Sequence, residues 1–335
     1  MELFELIQTL NRAHGPSGDE GEIREVIRAL AEPYADEITA DTMGNLMAYK
    51  KGTEGKKHVL LAAHMDSIGF VVTHIEKEGF LRVGRLGGVS PKEAAYTPVR
   101  FKSGLRGVFA PEEKADFGKL KLDECFLDIG AGDEAAAKQL VQVGDSAVYD
   151  TPAFRTGDLV VSPYLDDRIS CAVLLSTLER IGECPNDLYL VFTAQEEVGL
   201  RGARTAAWSI APDYAVAVDV TDVDDTPGSE RAGTARLGRG AAVKVMDSSV
   251  ICHPAMVALL EDTAREGDIP VQRDIMRAGG TDAGAIHLTR TGVITGGISV
   301  PCRYIHTPAE TASLSDADAC VRLAAALAQR PLEQP

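Results

Sequence analysis

From Asp166 to the end, the chain alternates short apolar runs with longer amphipathic stretches, a rhythm that few folds accommodate. The runs LYLVFT, YAVAVDV and GVITGGISV read as strands, with another near VQRDI. Asp166 to Ile181, Leu200 to Trp208, Pro254 to Arg265 and Asp316 to Gln329 have the spacing of helices. Strands and helices in turn predict an α/β sheet with helices on both faces. The N-terminal region has the same texture. It offers helices with Leu3, Phe4, Leu6, Ile7 and Leu10 as one apolar face, and over Gly21 to Ala35, the second preceded by Ser17 and Glu20 in an S-x-x-E capping pattern. Short β segments at EITA and NLMAYK follow. The continuous apolar run HVLLAA, read as a strand buried on both faces, ends directly on His64-Met65-Asp66.

Between about Ile68 and Ser162 the texture changes to brief β-like runs separated by Gly, Pro and charged turns: IGFVVTHI, FLRVG, TPVRF, GLRGVFA and DSAVYD. One helical patch lies near DEAAAKQLVQ. This predicts a small β-rich, barrel-like domain. The simplest organisation is one α/β domain, residues 1–67 and 163–335, interrupted by an insertion over residues 68–162. The segment GSERAGTARLGRG reads as a mobile loop.

Composition enters as a set of exclusions. Fifty acidic against 34 basic residues give a formal charge of −16, the wrong sign for tracking phosphate backbones, so no nucleic-acid partner is expected. Six cysteines without a CxxC pair do not make a disulfide framework at this length and suit a reducing cytosol. The start, MELFELIQTLNRAH, lacks the basic n-region and apolar core of a secretory signal. No apolar stretch approaches the roughly 20 residues that cross a bilayer. A cytoplasmic protein with no membrane partner is the expectation.

Five places along the chain stand out chemically because of where they fall. His64 follows one predicted strand and has Asp66 two positions on, placed to hold the second imidazole nitrogen. Asp166-Asp167 opens a helix after DLVVSPYL, where one of the two could simply cap it. Glu196-Glu197 follows a core strand, and two adjacent carboxylates there are costly unless a cation neutralises them. Asp219 sits inside AVAVDV, and His306 follows another apolar strand in SVPCRYIHTPAE. All lie at the carboxyl ends of strands, where open α/β sheets place their ligand crevice. Two imidazoles and three carboxylates form a mixed N/O donor set suited to zinc, cobalt or manganese, and unlike a cysteine-type structural zinc site. Two dications against three carboxylates leave a formal excess of positive charge that would favour ionisation of bound water at neutral pH.

The segments AAHMDSIGF, SPYLDDRISCAVLL, VFTAQEEVGLRGA, AVAVDVTDVDDTPG and AGGTDAGAIHLTRTGVITGGISVPCRYIHTPAE together resemble the metallo-aminopeptidase family of the glutamyl aminopeptidases and the tetrahedral TET peptidases. The resemblance runs through nearly the whole chain, with the motifs in the family's order. It implies a mixed-sheet α/β metallopeptidase domain. It implies that Asp166 bridges two divalent ions, zinc in first place, that His64 and Asp219 complete one and Glu197 and His306 the other, and that Glu196 is the general base. Asp66 joins Glu196 as the second catalytic residue. Gly280 and Asp282, in the Gly279-Gly280-Thr281-Asp282 segment, would shape the substrate floor, although Asp282 could equally cap the next helix. The same likeness implies that residues 68–162 form a dimerisation domain, and that homodimers build a homododecamer open to short peptides. Ser67 and Thr307 depart from the family's usual Glu and Ser without touching a presumed ligand. Arg168, Arg231, Arg277 and Arg303 are candidates to face an acidic substrate side chain. The function implied is removal of the N-terminal residue from short peptides by metal-activated water. A two-metal carboxypeptidase or deacylase is the nearest alternative. A glycoside hydrolase fits less well, since Trp208 is the only tryptophan available for sugar stacking.

Overall fold

The computed structural model describes residues 1–55, 57–229 and 233–332. Its centre is a set of four mutually parallel strands, Asp187–Thr193, His58–His64, Tyr214–Asp222 and Ile294–Arg303, in that spatial order. Their side chains alternate between two cores, as strand geometry requires. Val59, Leu61 and Ala63 point to one face, where they meet the helices Leu3–Arg12, Gly21–Ala31, Leu165–Arg180, Pro254–Glu266 and Leu314–Ala328. Leu60 and Ala62 point to the other, under the helices Arg201–Ile210 and Ala283–Ile286. HVLLAA is therefore buried on both sides.

Antiparallel strands extend the sheet to eleven, which makes it mixed. Leu46–Lys50 and Glu37–Ala40 lie at one edge, Glu310–Ser313, Leu159–Ser162 and Phe154–Thr156 at the other, and Ala241–Met246 with Val271–Ile275 branches off Ile294–Arg303. Six strands between Gly69 and Tyr149 close into a separate barrel around Phe70, Phe101, Phe109 and Leu127, with Phe70 stacked on Phe109 at 4.8 Å. One of them, Cys125–Asp128, has no counterpart among the β-like runs read from the sequence. Phe154–Thr156 and Leu159–Ser162 fall inside the span expected for the insertion, yet they pair into the large sheet, because Leu159–Ser162 finds its partner in Glu310–Ser313.

The S-x-x-E pattern before the second helix does not form a capping box. Glu20 is the N-cap residue but makes no side-chain cap; Ser17 donates its hydroxyl to Asp66 instead, at 2.6 Å. Glu20 accepts the amides of Gly18 and, across the fold, of Gln195. Both side chains that local sequence assigns to a helix end are used at the rim formed by the carboxyl ends of the central strands.

Candidate metal centre

Strand register brings the predicted residues together. In the pairing of His58–His64 with Tyr214–Asp222, Ala62 is level with Ala217, so His64 and Asp219 stand two residues further along neighbouring strands. Thr193 is paired with His64 on its other side, and Glu196-Glu197 follow in the loop beyond. Asp166 enters from the start of Leu165–Arg180, at residues that are not yet helical in φ and ψ, and His306 from the turn after Ile294–Arg303.

Asp166 faces both imidazoles at once. Its Oδ1 lies 2.9 Å from His64 Nε2 and its Oδ2 lies 3.2 Å from His306 Nε2. Glu197 Oε2 is also 3.2 Å from His306 Nε2, and Glu196 Oε2 is 3.8 Å from His64 Nε2. Two groups have ligand atoms mutually within 4.8 Å: His64 with Asp166 and Glu197, and His64 with Asp167 and Asp219. Asp167 therefore does not act as a surface cap. It is fully buried, and its Oδ2 accepts the His64 amide at 3.1 Å.

The acids outnumber any protein cation able to neutralise them. Buried Glu197 Oε1, Asp167 Oδ1 and Asp282 Oδ1 have no hydrogen-bond partner among the described residues. Arg168, buried beside the cluster, spends its guanidinium on the carbonyls of Leu10, Ala13 and Gly15. Burial, and after it neighbouring charges including Asp166 and Asp282, hold Asp219 well above the usual carboxylate range. Burial likewise raises Glu196 well above that range, although the His64 charge opposes it. Asp166 moves the other way: hydrogen bonds from His306 and His64 overcome its burial and lower it. Burial would lower His306, but hydrogen bonds to Asp166 and Glu197 bring it up to about 12. Orphaned carboxylate oxygens in such a setting suit divalent cations, and His and carboxylate donors fit them.

The supporting contacts are unusually complete along one loop. Four consecutive amides are each taken by a side chain: Ala194 by Asn45 Oδ1, Gln195 by Glu20, Glu196 by Asp66 Oδ1 at 2.9 Å and Glu197 by Asp66 Oδ2 at 3.3 Å. Asp66 thus holds the Glu196-Glu197 backbone. Its link to His64 is looser than the sequence suggested. His64 Nδ1 lies 3.1 Å from the Asp66 carbonyl and 3.5 Å from its carboxylate. Glu310, given no role from the sequence, is fully buried and accepts the amides of Asp166 and His306, both at 2.8 Å. The signal that could have found it is a carboxylate four residues after His306 at the head of a buried strand. Tyr164, Gln195, Leu200, Tyr304 and His306 all adopt positive φ next to the site. Left-handed backbone at non-glycine residues costs of order 1–3 kcal/mol each and is concentrated where geometry is functional.

The cavity over this cluster has a volume of about 740 Å³ and is reached by His64, Asp166, Glu196, Glu197, Asp219 and His306. Gly280 lines it as well. Asp282 does not; it is buried behind, where its carboxylate accepts the Thr193 hydroxyl and makes no helix cap. Of the arginines considered, Arg303 lines the cavity but its Nε is 2.5 Å from Asp225, Arg168 is buried and Arg277 is not part of the lining. Arg231, in the segment read as a mobile loop, lies outside the described residues.

The barrel supplies one wall. A β-carbon built on Gly88 would stand 2.4 Å from His306 Nδ1, and one on Gly87, at φ +72°, would stand 3.0 Å from Glu197 Cβ. Only residues without a side chain fit there. Gly88→Ala is therefore expected to displace the His306 ring and weaken metal retention and activity by roughly 10–100-fold, the scale for losing groups that orient ligands. Metal content after gel filtration, beside an unchanged circular dichroism spectrum, checks this; full retention would show that the ring has room to move.

Among the described residues no helix is long and apolar enough to cross a membrane. Residues 44–323 match the family described as M42 glutamyl aminopeptidase. The chain is 47% identical to a putative aminopeptidase of Acetivibrio thermocellus, over 96% of this chain and 97% of that one. It is similar to the structure of an aminopeptidase from the archaeon Desulfurococcus kamchatkensis, with TM-score 0.93, 38% identity and coverage of 98% and 94%. It is also similar to the TET1 peptidase of Pyrococcus horikoshii, described as assembling into a tetrahedron or a large octahedral shell, with TM-score 0.88, 30% identity and coverage of 97% and 99%.

Proposed function

Since this chain belongs to the M42 glutamyl aminopeptidase family, we propose that its buried carboxylate cluster holds two divalent ions and that Glu196 serves them as general base in removing the N-terminal residue of short peptides. The chain is a hydrolase of the aminopeptidase class. The observation that carries the two-ion reading is Asp166, whose two oxygens face His64 and His306 separately, as a bridging carboxylate must. His64 and Asp219 would complete one position, Glu197 and His306 the other. Zinc is the proposed ion, with cobalt or manganese accepted by the same donors. When bound, such ions lower the pKa of water and polarise the scissile carbonyl.

The protein's own groups account for the remaining steps. Glu196 is nine-tenths buried at its side chain, and its carboxylate makes no hydrogen bond among the described residues. Its raised proton affinity suits it to take a proton from the attacking water and return it to the departing amine. Asp66 fixes that carboxylate through the backbone amides of residues 196 and 197. The anionic floor accepts a free α-amine, which restricts cleavage to the first residue.

Chelation is expected to abolish hydrolysis of aminoacyl chromogenic substrates, and added zinc, cobalt or manganese to restore it. N-acetylated peptides should resist. Efficient release of a C-terminal residue would instead support a carboxypeptidase. Glycosidase activity surviving metal removal would favour that rival, but Glu196 and Glu197 sit on one loop rather than across a substrate, and Trp208 is outside the cavity lining.

The barrel closes around its own apolar core, so the inserted region stands as a separately packed unit, and the role assigned to it is dimerisation within a homododecamer. The assembled shells of the TET1 peptidase support the same reading. A light-scattering mass twelve times that of the chain would agree with it, and a stable monomer would not. All six cysteines are buried and unpaired, which supports a cytoplasmic location.

A further inference from the structure

We propose that Glu310 is a positioning residue that couples the two metal positions, its one carboxylate fixing the backbones of the bridging Asp166 and of His306 together. This rests on the two-ion reading and deepens it, by assigning the group that makes the two positions a unit.

Topology sets the carboxylate between the two segments. Glu310 is level with Ser162 in the sheet, four residues before Asp166, and its own strand begins four residues after His306. That strand is held on both sides, by Leu159–Ser162 and by Ile294–Arg303, so the side chain leaves from a fixed base. Its Oε2 accepts the Asp166 amide and its Oε1 the His306 amide. Among the described residues these are the two N–H groups that reach it, and no lysine or arginine pairs with it.

Both segments need an outside hold. Asp166, at φ −76° and ψ 103°, is not helical although it stands in the first turn of Leu165–Arg180, where an amide has no intrahelical acceptor. His306 stands at φ +66°, a conformation that a non-glycine residue keeps only where its surroundings enforce it. The two donors go to different oxygens, so the pair calls for a carboxylate of this length. A carboxamide offers one acceptor and turns its own N–H groups on the second amide, while an aspartate is a methylene short. A buried amide that loses its acceptor is costly, so the backbone carrying the ligand would shift.

The test is zinc affinity, read by competition with a chromophoric chelator on metal-stripped protein. Glu310→Met keeps the side chain's length and removes both acceptors; it should weaken both positions by roughly 10–100-fold, the scale for groups that orient ligands. Glu310→Gln, with one acceptor left, should fall between. Cobalt bound to Glu310→Met should also show altered visible absorption bands, a change that a purely structural role would not produce. Unchanged affinity in Glu310→Met, or weakening of one position alone, would overturn the proposal. Should the variants fail to fold, hydrogen exchange in the unaltered, metal-stripped enzyme decides: the amides of Asp166 and His306 should both be protected, and free exchange at either would refute the hold. An unaltered enzyme that binds fewer than two ions would instead defeat the two-ion reading, and the coupling with it.

Discussion

Glu196→Gln is expected to lower kcat by roughly 10²–10⁴-fold, the usual contribution of a positioned acid–base group, while metal content stays at that of the unaltered enzyme. The substitution keeps the side chain's length and volume and removes only its ability to take up and release a proton. Glu196 is 3.8 Å from His64 at its closest and forms no part of either tight ligand grouping. Its loop is anchored through backbone amides that the substitution leaves untouched. Activity and metal analysis should therefore separate. Equal turnover would remove Glu196 from the reaction, and metal loss in step with activity would recast it as a ligand.

Asp166→Ala is expected to empty both metal positions together, with a loss of activity beyond the roughly 10–100-fold caused by groups that only orient ligands. Among the described residues its carboxylate is the one group within hydrogen-bond distance of His64 and His306 alike. Removing it also takes away the anion that holds the two imidazoles towards each other. Asp167→Asn is the informative comparison, because Asp167 lies in the tight group with His64 and Asp219. If Asp167→Asn empties the centre and Asp166→Ala leaves two tightly bound ions, the bridging assignment belongs to the wrong neighbour.

Much of the framework was legible because it follows from local chemistry. HVLLAA had to be buried on both faces, and parallel neighbours then place the residues that follow each strand along one rim. Periodicity alone brings His64, Asp219 and Glu196-Glu197 to that rim. What escaped depends on long-range choices that local pattern does not encode. Ser17 and Glu20 have the spacing of a capping box, but Asp66 and the Gln195 amide compete for them and win. Asp66, two residues from His64, looks like the imidazole's partner, yet its carboxylate is committed to two amides 130 and 131 residues away. Glu310 falls in no element read from the sequence, and only the folded chain reveals that one carboxylate secures the backbones of Asp166 and His306. Phe154–Thr156 and Leu159–Ser162 had the brief, turn-bounded character of the barrel strands, and their membership of the large sheet was decided by an open edge at Glu310–Ser313.

The two glycines at the end of the barrel strand Leu81–Leu86 limit how this architecture can diversify. An inserted domain is often imagined as an exchangeable cassette, free to drift once its ends are joined. Here the seam is shared, because bare backbone at Gly87 and Gly88 leaves the space that Glu197 and His306 occupy. Relatives could remodel the barrel's outward faces freely, while any β-carbon at the seam would press on Glu197 and His306. A hybrid made by grafting a foreign barrel onto this chain is accordingly expected to work only when the graft brings its own pair of glycines to that seam.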